Sequence, residues 1–336
     1  MGGAEGRARR IADEVLFPAA IETDRAPLVP RDHLDLLARE GFYGMAAPRE
    51  AGGWDLDLAS VNRVIEILAS GCLSTTFVWL QHHNPVRAVA GSRTPGLQDA
   101  WLEPLCRGDR RAGIALAGER PGPPLLTAER AGDGFLLKGE APWVTGWGLI
   151  DVVLVAARSG EEVVRGLVDT SPGPTLEVEP LRLVAANATG TVTVRFHAHP
   201  LPADRVVNAA PLADVLARDA AGLRTNGSLA LGVAERCRLL IGSGELDDEV
   251  AATRSELNAA TPGTLPAARA RASELAVRAS AALIVAEGAR GILSERHAQR
   301  LAREALFLLV FGSRPAIRSA LLDTLVHRPA APLSLA

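Results

Sequence analysis

The feature that most constrains this chain is a change of period partway along it. From about residue 111 to residue 207 the apolar residues stop recurring at helical intervals and begin to alternate or to run continuously. Residues 151–157 (DVVLVAA) form a nearly unbroken apolar run, as a strand buried on both faces requires. Val192, Val194 and Phe196 alternate with Thr191, Thr193, Arg195 and His197, and Leu176-Glu177-Val178-Glu179 alternates too. Between these runs lie 132–134 (GDG), 171–174 (SPGP) and 188–190 (ATG), all turn chemistry. No helical stretch separates one run from the next, so the sheet should be largely antiparallel, a β-barrel or sandwich rather than a doubly wound fold.

On both sides the period is helical. Leu34, Leu37 and Ala38 mark a helix closed by Gly41, and Asp57 stands where it can cap a helix carrying Leu58, Val61, Val64, Ile65 and Leu68. A further helix is expected over 75–89, bent by Pro85. After Pro202 the chain turns helical again over 209–241, 246–260, 265–293 and 295–311, with a break at Gly242-Ser243-Gly244. A last helix should start with Ser313 as cap and Pro315 in its first turn. The expected fold class is therefore multidomain α+β. An N-terminal helical domain (1–110), a central antiparallel β-barrel or sandwich (111–207) and a C-terminal helical bundle (208–336) are expected, the two helical parts packing together.

Composition removes several classes of function. The chain has 336 residues, is 48% hydrophobic and 22% charged, and carries 36 basic against 39 acidic residues. Such a chain folds, and it has no basic excess to neutralise a phosphate backbone, so nucleic acid is not an expected partner. Cys72, Cys106 and Cys237 are far apart and form no CxxC pair, against both a disulfide scaffold and a structural zinc site. The charged beginning (MGGAEGRARRIADE) lacks the apolar stretch of a signal peptide, and the dense apolar run 306–311 is too short to span a bilayer. A cytoplasmic protein is expected.

Isolated motifs carry little chemistry. His82 and His83 are adjacent, which on a helix points them about 100° apart; one packed and one solvated histidine is the expected arrangement rather than a metal site. Glu245, Asp247, Asp248 and Glu249 lack the glycine and spacing of a calcium loop and suit a helix N-terminus. Gly146-Trp147-Gly148 has no strand-to-helix step after it, and no GxSxG element exists.

Several segments, in order, resemble the acyl-CoA dehydrogenase family. They are 48–53 (PREAGG), 91–108 (GSRTPGLQDAWLEPLCRG), 139–145 (GEAPWVT), 201–207 (LPADRVV) and 300–318 (RLAREALFLLVFGSRPAIR). The resemblance implies FAD held between the β-domain and the C-terminal helices. It also implies oxidation of an acyl-CoA or acyl-carrier thioester, and a homo- or hetero-oligomer. It places Trp143, Val144, Thr145, Gly118 and Ser313 at the cofactor; the competing reading makes Trp143 a core aromatic of a strand. The chain departs from the family where that site is built. At 117–124 (AGERPGPP) Glu119 survives, but Gly118 replaces a threonine and Pro123-Pro124 replaces a Gly-Ser pair. The family's Arg-x-x-Phe-Gly has no counterpart. Phe311-Gly312-Ser313 lacks the usual glutamate base, and 222–226 (GLRTN), where some members keep theirs, holds no carboxylate either. Glu304 stands where the family pairs an aspartate with an arginine, a structural role. Three functions fit: α,β-dehydrogenation with an unidentified base, a non-catalytic partner subunit of an active homologue, or a flavin-dependent monooxygenase.

Overall fold

The structure, a computed structural model, describes residues 3–242 and 244–326, with backbone alone at 219–221. Ser243 of the expected break and residues 327–336 of the expected third domain lie outside the described residues. The chain begins with helices α1 (Ala4–Ile11), α2 (Ala20–Arg25), α3 (Arg31–Arg39), α4 (Leu58–Gly71), α5 (Leu73–Gln81), α6 (His83–Ala90) and α7 (Leu97–Arg107). Asp57 caps α4 as its position predicts, its carboxylate accepting the Ser60 N–H at 2.7 Å. Gly41 closes the turn after α3 in the left-handed region, at φ 81°. The helix expected over 75–89 is two helices broken at His82, and Pro85 lies in the first turn of α6, where a missing N–H costs nothing.

The central region holds strands β1 (Ala112–Ala115), β2 (Leu126–Ala131), β3 (Gly134–Val144), β4 (Val152–Ser159), β5 (Glu162–Asp169), β6 (Leu176–Pro180), β7 (Val192–Leu201) and β8 (Val206–Pro211). They form one sheet in the order β6-β7-β3-β2-β4-β5-β8, with β1 beside β4. Most pairs are antiparallel, as the absence of intervening helices requires. The sheet is nevertheless mixed: β1 runs parallel to β4 from Ala112↔Val152 to Ala115↔Val155, and β2 meets β4 in parallel at Thr127↔Arg158. A parallel pair needs a long crossover. Here the β2–β3 hairpin supplies it in place of a helix.

The chain then returns to helix in α8 (Leu212–Ala217), α9 (Asp219–Ile241), α10 (Gly244–Ala259), α11 (Leu265–Glu287), α12 (His297–Val310) and α13 (Pro315–Val326). The two helical parts share one core. Leu34, Phe42, Ile65, Leu68 and Trp79 pack in the same apolar cluster as Leu229, Val233, Leu275, Leu301 and Leu308. The approach of α4 to α9 is close enough to require glycine at 232, where a Cβ would lie 2.5 Å from the Glu66 carbonyl oxygen. The sheet keeps a core of its own, including Leu126, Leu137, Val153, Val155, Val194 and Phe196.

Candidate functional site

Trp143, Val144 and Thr145 end β3 at an irregularity in its pairing. Ala141 faces Val194 and Val144 faces Val192, so β3 carries one extra residue there. The bulge puts Trp143 at φ 65°, a conformation a bulky side chain rarely adopts, and leaves its indole 56% exposed. Trp143 is therefore no core aromatic. Val144 is buried in the sheet core.

Thr145 is buried in a run of hydroxyls whose direction follows from counting protons. Thr189 Oγ1 donates to the Ala186 carbonyl at 2.7 Å. A hydroxyl has one proton, so the 2.8 Å contact between Thr189 and Thr191 is donated by Thr191. The 3.2 Å contact between Thr191 and Thr145 is then donated by Thr145. Thr145 thus points its proton inward, and its oxygen is open to a ligand only as an acceptor.

Gly118 sits in a 3-10 turn (Ala117–Glu119) packed on β4, where a Cβ would stand 2.7 Å from the Ala156 carbonyl oxygen. Its own carbonyl accepts two N–H bonds from Arg158, at 3.0 and 3.2 Å. Glu119 is paired with Arg165 at 2.7 Å. Ser313 lies in the turn between α12 and α13, half-buried, its N–H donating to the Val310 carbonyl at 3.3 Å. It does not start the last helix, which begins at Pro315.

Helix α5 joins the two ends of this arrangement. At Gly146, next to Thr145, a Cβ would meet Val78 Cγ1 at 3.4 Å. The neighbouring Phe77 packs edge-on against Phe311 with ring centroids 4.6 Å apart, and against Phe307 at 5.2 Å. The end of β3 and the α12–α13 turn therefore lean on successive residues of one helix. Gly118 joins neither through a side chain.

The turn at Phe311 is wired to a cation. Arg269 is buried and donates to the Leu308 and Phe311 carbonyls at 3.3 and 3.4 Å and to Ser273. The free carbonyls at the C-terminal end of α12 satisfy its charge. Facing Gly312 is the Asn226 side-chain amide. Phe311, Gly312, Ser313 and Asn226 supply no carboxylate, so the absence of a base noted in the sequence extends to these neighbours in space. Glu304 takes the expected structural role, accepting from Arg300 at 2.5 Å with both side chains buried.

Sequence reasoning did not find Arg269, Phe77 or the threonine run; no local motif marks them. It also misplaced one histidine. His82 and His83 are both buried, because the break between α5 and α6 lets both rings turn inward. Among the described residues no cluster of three metal-ligating side chains forms.

Residues 5–109 match the family model described as the acyl-CoA dehydrogenase N-terminal domain. Over 251 residues the chain is 28% identical to 3-sulfinopropanoyl-CoA desulfinase of Variovorax paradoxus, covering 69% of this chain and 62% of that protein. Over 158 residues it is 29% identical to benzylmalonyl-CoA dehydrogenase of Aromatoleum aromaticum, covering 46% and 42%. The matched region thus spans 62% or less of the length of these curated relatives. Among solved structures, butyryl-CoA dehydrogenase from Megasphaera elsdenii superposes with TM-score 0.82 at 17% identity, covering 96% of this chain and 97% of that one. A glutaryl-CoA dehydrogenase from Mycobacterium smegmatis in complex with FADH2 superposes with TM-score 0.81 at 17% identity, covering 97% and 94%. At these identities the likeness establishes the fold.

Proposed function

The family model, the curated relatives and the solved structures all indicate the acyl-CoA dehydrogenase family for this chain, and from that premise we propose that it is an FAD-binding flavoprotein acting on an acyl-CoA or acyl-carrier thioester. The observation that carries the reading is Trp143, an indole held out of the sheet by a strained backbone with no packing role to explain it. A flat, mostly apolar ring needs such a wall together with a few polar atoms at its edge.

The residues present suit that group. Trp143 supplies the wall, with Val144 fixing it in the strand. Thr145 offers an acceptor oxygen, and Ser313 a hydroxyl that makes no hydrogen bond among the described residues. Gly118 contributes by shape, letting its turn lie flat on β4. FAD, when bound, would take up the hydride that leaves the acyl chain. The protein's own part is to exclude water through Phe77, Phe307 and Phe311 and to orient the thioester. Removal of the α-proton lacks the usual carboxylate, and loss of a general base typically costs about 10²–10⁴-fold. The missing carboxylate and the missing Arg-x-x-Phe-Gly favour a second reading: a non-catalytic partner subunit that contributes packing or part of a ligand pocket beside an active homologue.

The same proposal takes 1–110, 111–207 and 208–336 as the domains and expects a homo- or hetero-oligomer in the cytoplasm. No helix among the described residues is long and apolar enough to cross a membrane. An absorption spectrum of the purified chain, before and after soaking with FAD, tests the reading. Flavin colour that bleaches with acyl-CoA supports the dehydrogenase, and colour without bleaching supports the partner subunit. Protein that stays colourless after soaking refutes the flavoprotein reading.

A further inference from the structure

Burying a guanidinium costs several kcal/mol unless an anion or a set of carbonyls meets it. Among the described residues most of the deeply buried arginines obey this. Arg111, Arg236 and Arg300 donate to Asp35, Asp13 and Glu304, and Arg269 donates to the end of α12. Arg224 does not. It is 9% exposed, its partners are the Ser228 hydroxyl (3.0 Å) and the Asn258 side-chain amide oxygen, and no described carboxylate stands within ion-pair distance. Burial lowers its pKa to about 10, as it does for Arg269.

Arg224 lies at the wall of a recess of about 270 Å³ where α1, α4, α9 and α10 meet, lined also by Arg63, Arg254, Glu5, Glu66 and Asn258. Glu66 is already occupied. It accepts from Arg63 at 2.6 Å and from Arg254 at 2.5 and 3.0 Å. Glu5 is largely exposed and only 3.9 Å from Arg63 at its nearest. Arg254 also lies 3.6 Å from Glu235, so Arg63 and Arg254 both have acidic partners, and Arg224, the least exposed of the three, has none among the described residues.

We propose that this recess is an anion site that takes a phosphate group, with Arg224 as its floor and Arg63 and Arg254 at its sides. Guanidinium forks suit phosphate oxygens, which accept paired hydrogen bonds. Neither Trp143 nor any residue of the α12–α13 turn lines the recess, although Asn226 on the same helix as Arg224 faces Gly312, so phosphate binding there can be read without flavin.

The test is thermal unfolding and calorimetric titration of the full chain with inorganic phosphate, against sodium chloride at matched ionic strength. Phosphate should bind saturably and raise Tm by a few degrees, on the order expected for a ligand well above its Kd; chloride should not. Asn258→Asp places a built-in carboxylate on Arg224. It should raise Tm without phosphate and weaken phosphate binding by about tenfold or more. Arg224→Met should abolish the response; if that variant does not fold, Asn258→Asp decides. A wild type indifferent to phosphate, or an Asn258→Asp variant that binds it unchanged, overturns the proposal.

Discussion

Replacing His82 with asparagine should remove one proton from the acid limb of the stability curve. His82 Nδ1 accepts the Ala112 N–H at 3.0 Å and so carries no hydrogen. Nε2 therefore holds it and donates to the Leu105 carbonyl at 2.9 Å. The neutral ring joins the α5–α6 break to the end of α7 and the start of β1. Burial pushes its pKa down to about 3, against an ordinary 6.5. Below pH 6.5 the unfolded chain takes up a proton that the native ring refuses until about pH 3. The stabilisation is complete above 6.5 and falls by about 1.4 kcal/mol per pH unit beneath it, about 2 kcal/mol by pH 5. Burial also lowers His83, and lowers His297 to about 4, so the wild type should lose stability faster than one proton alone requires. Asparagine keeps an acceptor near Nδ1 but does not titrate. Urea unfolding at pH 7.5, 6 and 5 should show the variant less stable at pH 7.5, and the gap narrowing by about 2 kcal/mol at pH 5. A gap that stays constant with pH would refute the assignment of a neutral, buried ring.

Trp143→Ala should leave the unfolding free energy from urea titration within about 0.5 kcal/mol of wild type, since the indole is largely exposed, while weakening FAD about tenfold in a fluorescence titration. Equal affinity would remove Trp143 from the site. Glu304→Gln strands the buried Arg300 charge and should cost about 3–5 kcal/mol in denaturant unfolding; a loss under about 1 kcal/mol would mean the pair contributes little. Gly118→Ala drives a methyl into the backbone at 156–157 and should cost about 1–3 kcal/mol, measured as a fall in Tm. A neutral result would show that the turn shifts freely.

Features set by near neighbours in the chain were legible in the sequence. Asp57 before an apolar helical stripe, GDG at a hairpin and Gly41 after a helix each act within a few residues, and each stands where the pattern placed it. Features set by distant partners were not. Alternation marked β7 but could not say that Thr193 would be covered as well as Val192 and Val194. Nothing local tells Ala112 to pair with Val152, or places Arg269 beneath Phe311. The Trp143-Val144-Thr145 segment was found by resemblance; its bulge and positive φ come from pairing with β7. The threonines at 145, 189 and 191 looked like strand and turn residues because a directed hydroxyl run exists only once three backbones converge.

The arginine behind the α12–α13 turn sets what any acidic side chain placed on that turn would meet. Any acidic side chain grafted onto that turn would acquire a permanent cationic neighbour across one carbonyl. That neighbour would favour its ionised form and so make it a weaker base. A more strongly basic carboxylate there would take two changes, one to add it and one to silence position 269. The second would also strip the end of α12 of the donor that covers its carbonyls.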